Sequence, residues 1–136
     1  MFDKNRRHGS FEIKCEGNTL IVDAQGPFNK ETIQDYQLAL TAAIDQMNDS
    51  SWQQIIIMRE ESIFTPEALE QMYAVTHYRK SRGLNFSAIV FVQSSARTLI
   101  EHQLQNIYCE VGIEHQFFDD YDEAKDKIKQ LEATAC

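Results

Sequence analysis

Apolar and polar residues alternate near the start of the chain, with Phe11, Ile13 and Cys15 separated by Glu12, Lys14 and Glu16. Period-two alternation marks a strand with one wet face. Gly17-Asn18 supplies a tight turn into Leu20, Val22 and Ala24, so this stretch predicts a β-hairpin. Gly26-Pro27 breaks the second strand, and Asn29 is placed to cap a first helix. From Lys30 to Met47 the period changes: Ile33, Tyr36, Leu40, Ile44 and Met47 recur at helical spacing.

"WQQIIIM" brings the unbroken run Ile55-Ile56-Ile57, as expected of a strand buried on both faces. Thr65 is placed to cap a second helix, Pro66 suits its first turn and Gly83 its exit. "NFSAIVFV" repeats the buried-strand pattern, and Ser94 or Ser95 is placed to cap a third helix. Ile100, Leu104, Ile107 and Val111 share one face of it before Gly112. "HQFF" reads as a last short strand. Asp120 followed by Glu123 resembles a capping box, and Ala124, Ile128 and Leu131 make the inner face of a fourth helix.

The order ββαβαβαβα predicts one α/β domain with right-handed crossovers between parallel strands. Its sheet is mainly parallel, with an antiparallel first strand at the edge and four helices. Residues 1–9 read as a flexible tail, 10–132 as the domain and 133–136 as a C-terminal tail.

Composition narrows the function classes. No run approaches the roughly 18 apolar residues of a membrane span, and "MFDKNRRHGS" lacks the apolar stretch of a signal peptide. A soluble, cytoplasmic protein without stable membrane insertion is expected. Acidic residues outnumber basic ones 21 to 13, for a formal charge of −8, which argues against nucleic-acid partners. "KNRRH" at residues 4–8 reads as a solvated arm. Cys15, Cys109 and Cys136 are widely spaced, so reduced thiols are expected rather than a disulfide framework or zinc site.

Catalytic patterns are thin. His77, Tyr73 and Glu70 fall on adjacent turns of the second helix and His102 on the third, yet no nucleophile stands at a recognisable spacing. No histidine pair has the spacing of a zinc helix, and "SSAR" lacks the glycines of a phosphate loop. Neither metal nor cofactor is expected. The helix starts at the carboxyl ends of the strands gather Arg59, Thr65, Ser94, Ser95 and Arg97, a set able to hold an anion on free helix amides. The alternative is ordinary capping with surface arginines, since Glu60, Glu61 and Glu67 oppose the positive field.

The hairpin "FEIKCEGNTLIVDAQGPFN", the junction "FTPEAL" and the closing "FFDDYDEAKDKI" resemble the SpoIIAA-like branch of the STAS fold over residues 10–132. Better-known relatives are anti-sigma-factor antagonists, which switch partners when a serine in an Asp-Ser-Ser/Thr-Gly-type phrase is phosphorylated. In "FTPEAL" Thr65 falls near the Asp position, while Pro66 and Glu67 stand where hydroxyls would. The phosphoserine switch therefore does not carry over. The resemblance implies a non-enzymatic regulatory or protein-interaction module. It also resembles lipid-binding relatives, which makes a carrier or sensor of a small apolar ligand at Phe28, Phe64 and Tyr73 the alternative.

The resemblance further implies a sequential strand order, with every helix on one sheet face. Alternation then assigns Leu20, Val22, Ala24, Phe86, Ala88, Val90 and Val92 to the helix side. Ile21, Ile89, Phe91 and Phe117 are left on an uncovered face, which predicts a homodimer or another protein there. The rival expectation is that the N-terminal segment, with Phe2, crosses that face.

Overall fold

Three central strands carry apolar side chains on both faces, so the sheet needs cover on both sides. The structure is a computed structural model describing residues 9–47 and 50–134. Its elements run β1 Ser10–Glu16, β2 Thr19–Gln25, α1 Lys30–Met47, β3 Trp52–Arg59, α2 Pro66–Ser81, β4 Leu84–Val92, α3 Arg97–Val111, β5 Glu114–Phe118 and α4 Tyr121–Thr134. The strand order is β1-β2-β3-β4-β5, with β1 antiparallel to β2 and the later pairs parallel. The expected α/β architecture, strand order and four helices are present. Because α4 continues to Thr134, the boundary expected at residue 132 falls inside a helix. The tail expected over residues 1–9 lies outside the described residues except for Gly9.

The expectation of a bare sheet face is overturned. Helices α1, α2 and α3 pack on one side with Leu20, Val22, Ala24, Ile56, Met58, Ile89 and Phe91. Helix α4 lies across the other side, where Ala124 and Ile128 join Ile21, Ile55, Ile57, Phe86, Ala88 and Val90. Chain crossovers do not constrain the helix after the last strand, so α4 is free to take the second face.

The face assignment of β4 also reverses. Val22, Ile56 and Ile89 lie side by side in register and so share a face. Phe86, Ala88, Val90 and Val92 therefore sit beneath α4, while Ile89 and Phe91 face the three helices. Phe117 packs with Phe91 at a ring separation of 5.9 Å. Alternation gives the phase within a strand but not between strands, and an apolar-on-both-faces strand reads equally well in either phase. Ile21, Ile89 and Phe91 are buried within the chain, at 3%, 0% and 5% exposure, so the expected interface through them does not exist as a surface.

Local chemistry sets the helix starts. Asn29 Oδ1 accepts from the Thr32 amide at 2.8 Å and so caps α1. Asp120 Oδ1 accepts from the Asp122 amide at 3.0 Å at the start of α4. Gly83 follows α2 at φ 111, where an added Cβ would stand 2.2 Å from the Ser50 carbonyl oxygen. That exit lets Trp52 donate its amide to Gly83 at 3.0 Å, which opens β3 beside β4.

One polar network sits inside the three-helix side. Arg79 of α2 is fully buried and donates to Gln54 Oε1 at 2.9 Å and to Thr76 Oγ1 at 2.8 Å. Gln54 donates in turn to Ser87 Oγ at 2.9 Å, and Ser87 donates to Tyr108 Oη at 3.0 Å. The network thus ties α2, β3, β4 and α3 together. No carboxylate neutralises Arg79 among the described residues; its place in the last turn of α2 sets it among carbonyls that favour a cation. Gln54 is the neutral acceptor that a buried charge requires.

Removing the acceptor should therefore cost more than removing the charge. Gln54→Leu is expected to lower unfolding free energy by about 2–3 kcal/mol, the scale of a lost hydrogen bond to a buried charged group. The double variant Gln54→Leu/Arg79→Met should be more stable than Gln54→Leu alone. Urea unfolding of the three proteins measures both; a double variant weaker than Gln54→Leu would refute the charge-acceptor account.

Candidate functional site

The carboxyl ends of β2, β3 and β4 and the starts of α2 and α3 form one rim, the usual ligand edge of an open α/β sheet. Thr65 stands at its centre in extended backbone, φ −66 and ψ 160, and its Oγ1 accepts from the Ala68 amide at 3.1 Å. Pro66 occupies the first helical position, where a missing N–H costs nothing, and Glu67 brings negative charge to the first turn. The α2 entrance is closed by these three residues.

The two arginines of the expected anion site are not brought together. Arg59 lies in phase with Ile55 and Ile57 and so points to the α4 side, where Nε and Nη2 donate to the two Asp23 oxygens at 2.7 and 3.0 Å. Hydrogen bonding to Asp23 raises the Arg59 pKa further above its ordinary value. Arg97 lies on the three-helix side, its guanidinium 4.9 Å from the Phe91 ring centre and paired with Asp119 and, at 3.1 Å, with Glu101. Hydrogen bonding to Asp119 is the main cause of its raised pKa. Both cations are already paired with carboxylates, and while strand parity sends Arg59 to the α4 face, Arg97 opens helix α3 over Phe91 on the opposite face.

The expected serine cap of α3 is also absent. Its N-cap residue is Ala96, with no side-chain hydrogen bond to the helix, while Ser94 and Ser95 lie in the preceding loop. Tertiary packing of Ile100 and Leu104, both nearly inaccessible, anchors that helix instead.

Of the aromatic set, Phe28 and Phe64 meet and Tyr73 stands apart. Phe28 and Phe64 form a short parallel bridge with ring centres 5.0 Å apart. Beneath them is an apolar cavity of about 40 Å³, whose lining includes Tyr36, Met58, Met72 and Leu104 but not Tyr73. Burial pushes the Tyr36 hydroxyl pKa up, and that hydroxyl has no hydrogen-bond partner among the described residues. On the opposite face, beside the start of α4, a groove of about 480 Å³ is floored by Ile21, Ile57 and Val92 and rimmed by the Asp23–Arg59 pair and Tyr121.

Ile63 and Leu99 escape a reading based on chemistry-bearing residues, yet they stand out at the rim. They are 38% and 49% exposed, at the entrance of α2 and in the first turn of α3. The sequence does carry a signal for Leu99: it falls off the stripe of Ile100, Leu104, Ile107 and Val111. His77 and His102 are exposed on separate helices, and Cys109 is a free, exposed thiol. No helix of the described residues is long and apolar enough to cross a membrane.

If Thr65 acts as a cap and not as a modification site, Thr65→Ala should lower unfolding free energy by about 1 kcal/mol. Chemical denaturation measures that loss, and stoichiometric phosphate on Thr65 in protein isolated from cells would contradict the cap-only role. Compared with protein-family models, curated proteins and solved structures, the chain finds no significant match in any of the three.

Proposed function

We propose that the chain is a non-enzymatic regulatory or protein-interaction module of the STAS-like type, without a phosphoserine switch, and that its partner docks at the rim of helix starts. The observation that carries this reading is the pair of exposed aliphatic side chains, Ile63 and Leu99, at the entrances of neighbouring helices. Around them Arg59 and Arg97 are already paired with carboxylates and the α2 entrance is capped by Thr65. Such a rim offers apolar contact, where partner binding gains most, rather than a free cation or an open catalytic pocket.

The carrier reading rests on the cavity under Phe28 and Phe64. Its volume of about 40 Å³ is far below the roughly 300 Å³ at which small-molecule pockets begin. A lipid-sized ligand would have to displace the aromatic pair. The magnitude favours the interaction module.

Ile63→Asp and Leu99→Asp should leave the unfolding midpoint nearly unchanged, since both side chains are largely in solvent. Each should abolish a protein partner seen by native mass spectrometry of chain purified from its own cells. A retained lipid-sized mass with no partner protein would instead select the carrier.

A further inference from the structure

Strand β1 is an edge strand of unusual regularity. It pairs with β2 without a register break over all seven residues, Ser10 to Glu16, and contains no proline. Among the described residues no strand pairs with its outer side. Edges are ordinarily blunted by bulges, prolines or short length, because unpaired backbone groups template further strands. Among the described residues charged side chains are what guards this edge, so their order decides which strand is excluded and which is admitted.

The turn into β2 has Gly17 at φ 61 and no positive φ at Asn18, the pattern of a two-residue II′ hairpin. Alternation from that turn directs the backbone groups of Ser10, Glu12, Lys14 and Glu16 toward β2. Those of Phe11, Ile13 and Cys15 are left directed outward. Side chains follow the same parity: Phe11, Ile13 and Cys15 lie on the three-helix face, and Glu12, Lys14 and Glu16 on the α4 face.

We propose that β1 pairs antiparallel with β1 of a second copy, about a twofold axis at Ile13, joining two sheets into one of ten strands. In that register Ile13 faces Ile13, Phe11 faces Cys15, and the full strand length overlaps. Glu12 of each copy stands opposite Lys14 of the other, giving two attractive pairs. Moving the axis to Glu12 sets the two Glu12 carboxylates against each other. Moving it to Lys14 opposes the two lysines and also sets Glu12 against Glu16. Directly opposed like charges destabilise a sheet, so the charge order admits one full-length register.

Steric room is consistent with this pairing. Helix α1 lies over β1 with Cys15 Sγ 3.9 Å from the Ala43 carbonyl oxygen, and Ala43 presents only a small side chain there. On the other face the Lys14 side chain is 65% exposed and its ammonium stands 3.3 Å from Glu16 of the same strand, a surface pair weak enough to be shared with a facing Glu12. This association uses the strand edge rather than the rim of helix starts, so it stands or falls independently of the partner proposed there.

The test combines charge exchange with cross-linking. Sedimentation should show a concentration-dependent dimer of the natural chain, and Lys14→Glu should weaken it about tenfold by turning two attractive pairs into repulsive ones. Glu12→Lys/Lys14→Glu should restore the dimer, because the exchange recreates both pairs. With the three natural cysteines replaced by serine, Ile13→Cys should cross-link two copies under diamide, since residues opposed at the axis lie about 5.5 Å apart at Cα. The natural Cys15 residues, offset by four positions and roughly 13 Å apart, should not cross-link to each other. A chain monomeric at several hundred micromolar would overturn the proposal, as would a dimer indifferent to Lys14→Glu or one cross-linked through Cys15. Should Ile13→Cys fail to fold, the charge exchange on the exposed face still decides.

Discussion

The constraint on which the rest depends is that β3 and β4 are apolar on both faces. Ile55, Ile56 and Ile57 are all buried, as are Ala88, Ile89, Val90 and Phe91, and each fully buried large aliphatic side chain contributes roughly 1.5–3 kcal/mol. Neither face can be left to water. Right-handed crossovers commit α1, α2 and α3 to one side, which leaves α4 alone for the other. A single helix covers β3, β4 and β5 and cannot also cover β1 and the open end of β2. The groove beside Tyr121 results from that shortage of cover.

The second organising feature is polar. Burying Arg79 with no carboxylate partner among the described residues is costly, and the neutral acceptors Gln54 and Thr76 offset part of that cost, with Gln54 itself held through Ser87 to Tyr108. Such a network contributes little net stability but penalises any slippage, because a shifted α2 or β3 would leave a charge without its acceptor. It sits at the opposite end of the core from the rim, so the rim can change without disturbing it. The register that places Val22, Ile56 and Ile89 side by side is held from that end.

At the rim, potential chemistry is consumed internally. Arg59 is taken up by Asp23, Arg97 by Glu101 and Asp119, and the Ala68 amide of α2 by Thr65. Among the side chains left exposed there are the aliphatic Ile63 and Leu99, beside Glu61 and Glu67. A surface of this type suits recognition of another macromolecule better than turnover of a small one, because both rim arginines are held by carboxylates.

The sequence by itself determined the element order, the helix faces and most helix starts. Those properties are local: hydrophobic period, turn glycines and cap residues act within a few positions, so Asn29, Thr65, Gly83 and the stripe from Ile100 to Val111 could be read directly. The family resemblance also implied the sequential strand order. Only the tertiary structure decided which face each β4 residue occupies, since an unbroken apolar run has no preferred phase until a neighbouring strand sets its register. It alone decided the side taken by α4, which no crossover rule governs. It alone paired Arg59 with Asp23, 36 positions away in the chain, and so removed an anion site that spacing had suggested. Arg79 lies in helical step with Met72, Val75 and Thr76, a hint of burial in the sequence, but its acceptor Gln54 could come only from folding, because hydrogen-bond partners across a core are set by packing rather than by proximity along the chain.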